Sequence, residues 1–407
     1  MNRLLPVLLA VPLAAQETIE QRLDRLELEN RELHRLVEEI AATPRGSDEQ
    51  SPGIAKAYHT DAGLSIAGYG EYLFTQRSGR TDVADALRTV LYLGYHFDEK
   101  WLLHSEIEVE HGSTSSSSGT ASGGGEVSLE FGHLEYQATE ELAFRVGMVL
   151  VPLGLVNAEH EPTRFLTVSR SQTESRIIPT TWRELGIEGI GRFGGLELEA
   201  FVGSGLDGEE FDASGLRGGR QKGNRAAIDD IAMALRVDYR CCPELRFGGA
   251  AFYQRAGQDG VRTGSPPTPI PELDTVIAEA HVEWTPGPWT VRAMWASAFS
   301  DDAHEFAVAT GRNLAERSDG CYGEVGCDLA PWLWPESEIA VTPFLRFEEI
   351  DTQAAMPEGI AADASQKSRI LTVGVNVKPD DRIVFKLDFE DWDNSYDRMN
   401  ISMGYVF

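Results

Sequence analysis

The chain has no long apolar run. None of its stretches reaches the roughly 18 residues that a membrane-crossing helix needs, and mean hydropathy is negative. A helical membrane protein is therefore excluded. Positive charge is scarce: 36 lysines and arginines stand against 65 acidic residues, a formal net charge of −29. Nucleic acid is accordingly not an expected partner. Four cysteines in 407 residues make no disulfide framework. Cys241 and Cys242 are adjacent where a turn is expected, and Cys321 and Cys327 share one parity of one strand, too far apart along it to bond each other. No CxxC motif and no Cys/His pair at zinc-ligand spacing is present, so neither a metal nor a cofactor is expected.

What is abundant is glycine, at 40 residues, together with aromatics, as expected of many strands joined by turns. The first stretch, "MNRLLPVLLAVPLAAQET", reads as a secretory signal peptide over residues 1–15. Arg3 supplies a basic start, Leu4 to Leu13 an apolar segment, and Ala14 and Ala15 the small residues before a polar turnover. Residues 16–42 read as a short α-helical coiled coil. Ile19, Leu26, Leu33 and Ile40 recur every seven residues, and Leu23, Asn30 and Val37 form the interleaved series. Asn30, polar within that seam, is the kind of residue that fixes register and strand number. The Pro/Gly/Ser-rich stretch "TPRGSDEQSPG" lies in a linker spanning 43–61.

From Ala62 to the end the helical period gives way to period two. In "LSIAGYGEYLF", Leu64, Ile66, Tyr72 and Phe74 share one parity, and Ser65, Tyr69 and Glu71 the other. In "WLLHSEIEVE", Trp101, Leu103, Ile107 and Val109 oppose His104, Glu106, Glu108 and Glu110. A soluble sandwich also alternates, but connection lengths discriminate. Short turns at 98–100, 139–141, 194–195, 241–244, 286–288 and 379–381 alternate with long segments at 112–125, 151–182, 204–225 and 254–272. Short turns at one end and long loops at the other are the pattern of an outer-membrane barrel. The expected fold is all-β: an antiparallel transmembrane β-barrel of about sixteen strands over 62–407, preceded by the coiled coil. Reaching that count requires a separate strand in "CYGEVGCDLAPWL". The last strand, "NISMGYVF", is then expected to close on the first. Tyr405 and Phe407 on its apolar face form the terminal aromatic signal read by barrel-assembly machinery.

These pieces together resemble the phosphate-selective porin family, the Opr-type outer-membrane porins. The matching segments are "GYGEY", "GMVLVPLGLVNAEHEPTRFLTVSRS", "IIPTTWRELGIEGIGRF", "VTPFLRFEEIDTQ", "LTVGVNVKPDDRIVFKLDFE" and the terminal "GYVF", in that order. The resemblance implies a channel, usually a homotrimer, in the outer membrane of a Gram-negative bacterium, in contact with its lipid. It also implies a long loop folded into the lumen, and in some members a periplasmic coiled coil. The expected function is passive diffusion of small hydrophilic solutes or ions. A phosphate- or anion-selective channel and a periplasmic tether anchored by a barrel are the alternatives.

The resemblance places 151–182 inside the pore. Within it, Glu159, His160, Glu161, Arg164, Arg170, Glu174 and Arg176 are the expected constriction residues, with Arg183 and Glu184 just after. Facing rings of opposite charge sort permeants by sign, and the planar fork of arginine suits carboxylate or phosphate. Residues 151–184 hold four acidic residues, four arginines and no lysine, which departs from the cationic surplus of an anion specialist. The expected lumen wall carries Glu106, Glu108, Glu110, Arg145, Arg192, Arg246, Arg346 and Lys386, with Arg236, Arg292 and Lys378, so it is mixed in sign. No Ser/His/Asp set stands out, no catalytic residue is expected, and the chain does not read as an enzyme. His104 and His133 fall on strands without an evident partner serine. "GIGRFG" matches GxGxxG but precedes a strand rather than a helix, so the nucleotide-binding reading fails.

Overall fold

The computed structural model describes residues 63–115, 124–262, 267–337 and 339–407. The expected signal peptide, coiled coil and linker lie outside the described residues, as does the core series Ile19, Leu23, Leu26, Asn30, Leu33, Val37 and Ile40. Sixteen strands form one closed antiparallel barrel. In chain order they begin with β1 (Gly63–Arg77), β2 (Val83–His96), β3 (Trp101–Glu110), β4 (Val127–Gln137), β5 (Leu142–Leu150), β6 (Arg183–Phe193), β7 (Leu196–Gly203), β8 (Ala232–Cys242) and β9 (Leu245–Arg255). A two-stranded hairpin of β10 (Val261–Arg262) and β11 (Thr268–Pro269) stands apart from the barrel. The barrel continues through β12 (Asp274–Trp284), β13 (Trp289–Ser300), β14 (Arg317–Cys327), β15 (Ala340–Ala355), β16 (Lys367–Asp380), β17 (Ile383–Trp392) and β18 (Arg398–Val406). Every barrel strand pairs with its chain neighbours, and β18 closes on β1 with Tyr69 opposite Val406 and Arg77 opposite Arg398. Closure leaves no unpaired edge.

Period two is what makes this chain a barrel wall. Leu64, Ile66, Tyr72 and Phe74 of β1 are exposed on the outer face, while Ser65, Tyr69 and Glu71 are buried within. The same division holds for Phe385, Leu387 and Phe389 against Lys386, Asp388 and Glu390 of β17. Short turns join strands at one end. At 97–100 the Asp98 carboxylate accepts from the backbone N–H groups of Lys100 and Trp101, each at 2.8 Å, and those bonds hold its carboxyl below the ordinary range.

The weakest expected strand is corrected. β14 runs Arg317–Cys327, so it begins before Cys321 and stops short of "DLAPWL". Ala330–Leu333 forms a short helical turn instead, where Pro331 has no N–H to give a ladder. Asp328 turns the chain by accepting from Ala330 N at 3.0 Å and Val341 N at 2.9 Å. Cys241 and Cys242 end β8 rather than occupying the turn, and the four cysteines are free.

The interior holds a core of its own. Leu153, Ile177, Ile178 and Trp182 of segment 151–182 pack with Leu206, Phe211 and Leu216 of 204–231 and with Phe306 of the helix Ala303–Thr310. The wall contributes Phe201, Phe252, Ile277 and Ile350, and the Trp182 and Phe252 rings meet edge-on at 4.5 Å. The residues of 151–182, 204–231 and the helix escape the alternating pattern because they lie between barrel strands.

Candidate functional site: the cleft between segment 151–182 and the wall

Segment 151–182 leaves β5 and returns at β6, and Asn157 latches its base. The Asn157 side chain donates to Val151 O (2.7 Å) and Trp182 O (3.1 Å) and accepts from Trp182 N (2.7 Å). From there the segment reaches strands far from its origin. Lys386 of β17 donates to the carbonyls of Phe165 and Thr167 at 2.8 Å each, and Lys378 of β16 to Thr163 O at 2.9 Å. Asp388 accepts from Val168 N at 2.6 Å, and Glu348 of β15 accepts from both Thr173 N and Thr173 Oγ1. Glu174 accepts from Tyr322 Oη of β14 and from Val156 N, both at 2.6 Å. Buried irregular backbone must find partners for its N–H and C=O groups. Here the charged wall residues supply them.

Glu159, Arg164, Arg170 and Glu174 line one side of a tight cleft whose cavity volume is about 20 Å³, room for about one water. Its other side is Arg246 of β9, Glu283 of β12, Arg292 of β13, Glu324 of β14 and Arg346 of β15, so five arginines meet four glutamates. Most are paired. Glu159 binds Arg164 at 2.8 Å and Arg246 at 3.4 Å. Glu283 binds Arg246 at 3.0 Å and Arg292 at 2.6 Å, and Glu324 lies 3.5 Å from Arg292. Arg346 donates to Thr167 Oγ1 and Ser169 O rather than to a carboxylate. Arg170 is the exception: among the described residues its Nε and Nη2 are buried without a hydrogen-bond partner.

Other expected constriction residues lie elsewhere. Glu161 is fully buried and accepts from Tyr92 Oη at 3.3 Å. His160 sits between Asn157 O (3.0 Å) and Glu106 Oε1 (3.4 Å). Arg176 donates to Ser214 O and lines a different opening with Arg80, Tyr396 and Arg398. The even spacing of Arg164, Arg170 and Arg176 therefore does not put them in one cleft.

On the wall, Glu106 and Glu108 are buried, and Glu110, at the strand end, is half-buried. Arg145 bridges Glu135 (2.7 Å) and Glu188 (3.2 Å), and Arg192 binds Glu197 at 2.9 Å. Arg236 pairs with Asp238 at 3.0 Å. Sequence reasoning passed over Arg88, which binds Glu71 at 3.1 Å, and Glu130, which binds Arg183 at 2.6 Å. It also passed over Arg217 and Arg220, which donate to Thr180 O from segment 204–231. Parity could have flagged Glu283 and Glu324. Nothing in "GLRGGRQKG" signals that its arginines reach inward.

Among proteins of known sequence, the chain is 31% identical over 366 residues to an uncharacterized protein of Aquifex aeolicus (strain VF5), covering 85% of this chain and 80% of that one. The two belong to one family. No family model matches the chain. The solved structures it resembles include OmpF of Salmonella typhi in complex with daunomycin, with a TM-score of 0.56 over 86% of this chain and 99% of that one. A loop L8 deletion mutant of the Vibrio cholerae outer membrane protein OmpT gives 0.55 over 86% and 100%. The outer membrane channel DcaP of Acinetobacter baumannii gives 0.53 over 86% and 99%. Each is 10% identical to this chain, a level at which the shared property is the fold.

Proposed function

We propose that the protein is an outer-membrane channel through which small hydrophilic solutes diffuse passively. Segment 151–182 would fold into the lumen and narrow it at the Arg/Glu cleft. The observation that carries this reading is the set of hydrogen bonds from β14, β15, β16 and β17 to a segment that belongs to β5 and β6, since those partners can meet only across the barrel interior. An apolar outer face, a charged inner face and paired ends suit a bilayer-spanning barrel.

A second reading is an anion-selective channel of the phosphate-selective porin type. It is favoured by Arg170 and Arg346, which make no ion pair with a carboxylate among the described residues, and by the five arginines against four glutamates in the cleft lining. Reversal potentials in planar bilayers under a KCl gradient, with phosphate added as competitor, separate the two. Stepwise conductance without phosphate block supports a general channel. An anion-leaning potential with block supports the second reading, and absence of conductance rejects both. A homotrimer with a periplasmic coiled coil completes the proposal. Deleting residues 16–42 should leave conductance intact while lowering assembly yield, whereas loss of conductance would contradict that part.

A further inference from the structure

On the inner wall near the short-turn end, away from the Arg/Glu cleft, His104 of β3 faces His133 of β4 directly across the ladder. Their rings stack at 5.1 Å with 21° between planes. Glu135 lies two residues further along β4, its Oε2 3.9 Å from His104 Nε2. One ligand atom from each of the three lies within 4.8 Å of the others.

Three features set this cluster apart from an ordinary histidine pair. The first is its origin in a β-bulge. The β3–β4 register shifts at Glu106/Ile107, so that Glu130 and Phe131 are both buried and the parity of β4 reverses beyond them. Without that extra residue, His133 and Glu135 would point out with Val127 and Leu129. Bulges commonly re-aim side chains at sites.

The second is His133 itself. It is 8% exposed, and among the described residues no side chain hydrogen-bonds its ring, the backbone of Met148 being its one polar neighbour of that kind. A buried imidazole left with an unmet nitrogen is costly. His281, on the same inner surface, shows the alternative: its Nε2 meets Asp238 and its Nδ1 meets Glu279, each at 2.9 Å.

The third is the surrounding charge. Arg145 Nε holds Glu135 Oε2 at 2.7 Å while its Nη1 reaches Glu188 at 3.2 Å. The Arg145 guanidinium thus ties Glu135 to Glu188 of β6. Arg145 orients the carboxylate as an outer-shell donor, and Glu135 Oε1 remains for a ligand.

From these we infer that His104, His133 and Glu135 bind a borderline divalent metal ion of the zinc class. Two imidazoles and one carboxylate select such ions over calcium or magnesium, which prefer all-oxygen shells. Ligand atoms around Zn²⁺ stand roughly 3.3 Å apart at bond lengths of about 2.0–2.1 Å. The present spacing, within 4.8 Å, must contract by side-chain rotation to reach that.

The test is calorimetric titration of Zn²⁺ into the full chain, purified in detergent without a polyhistidine tag. About one Zn²⁺ per chain is expected, unaffected by millimolar Mg²⁺, and His133→Gln and Glu135→Gln should each weaken it tenfold or more. His111→Gln, on an exposed loop against Asp85, should leave it unchanged. X-ray absorption at the zinc edge of the unmutated protein should show two imidazoles and oxygen in the first shell, whether or not every variant folds. No saturable binding, binding indifferent to both substitutions, or a zinc shell without paired imidazoles would each overturn the inference.

Discussion

Phe407 and Gly68 exchange both backbone hydrogen bonds, the Phe407 N–H donating to Gly68 O at 2.9 Å and the Gly68 N–H to Phe407 O at 3.1 Å. The last residue of the chain is thus fixed to the first strand. A Gly68 side chain would have no room: a Cβ there would stand 2.3 Å from Val90 O of β2 and 2.9 Å from Phe407 Cζ. Gly70 likewise faces Tyr405, whose Oη would be 2.5 Å from an added Cβ. The two rings stack at 6.5 Å. "GYGEY" and "GYVF", at opposite ends of the barrel sequence, are two halves of one seam.

Gly68→Val should therefore strain β1 against both the Phe407 ring and the Val90 carbonyl of β2. Overpacking of a tight contact costs about 1–3 kcal/mol, and removing Phe407 forfeits two backbone bonds at about 0.5–1.5 kcal/mol each. Both variants should lower the temperature at which the folded, fast-migrating band on a cold gel is lost. An unchanged transition in the deletion variant would show that the seam contributes nothing to closure.

The cleft arginines are not equivalent. Arg170→Ala and Arg346→Ala remove cleft guanidiniums that make no ion pair with a carboxylate among the described residues, so in the proposed channel each should lower anion-to-cation permeability severalfold in reversal-potential measurements. Arg176→Ala, at the other opening, should leave that ratio nearly unchanged. Equal effects of Arg170→Ala and Arg176→Ala would mean that permeants do not pass the cleft.

Tyr322→Phe removes one of the two donors on Glu174 while keeping the ring. A buried carboxylate deprived of a donor loses about 1–3 kcal/mol, here from the docking of segment 151–182 rather than from the barrel. The expected result is a noisier single-channel current with unchanged thermal unfolding of the barrel. A quiet channel would place the holding force in the other contacts.

Lys386→Met keeps most of the side-chain volume but strips the donors from the carbonyls of Phe165 and Thr167, and loses the ammonium lying 3.7 Å over the Phe165 ring. Proteolysis within residues 162–171 should rise markedly in the folded variant, read by mass spectrometry of the fragments. Resistance equal to the parent would show that Lys378 and Asp388 suffice.

Much of this architecture is legible in the chain because the outer face of a barrel obeys one simple demand. Leu64, Ile66, Tyr72 and Phe74 announce their side by repetition, and so do Phe385, Leu387 and Phe389. Legibility fails where a local event resets the count. The bulge at Glu130 and Phe131 reverses β4, and only the pairing with β3 reveals that His133 looks inward. It fails again for loop residues, because Arg217, Arg220 and the apolar Leu206 and Phe211 obey no period. Equal sequence spacing misleads in the same way: Arg164 and Arg176 part company because an irregular segment, unlike a strand, carries no fixed direction.

The latch at Asn157 has a consequence for how this cleft can change over evolution. By joining the two ends of segment 151–182 to each other, it makes the intervening stretch a cartridge closed at its base. Lys378, Lys386, Asp388 and Glu348 then seat it against a wall whose strand pairing is complete without it. In the channel proposed above, substitutions between His160 and Arg170 would then alter what the narrow point admits without touching strand register or closure. Related chains could share a wall nearly residue for residue and still, on that proposal, pass different solutes.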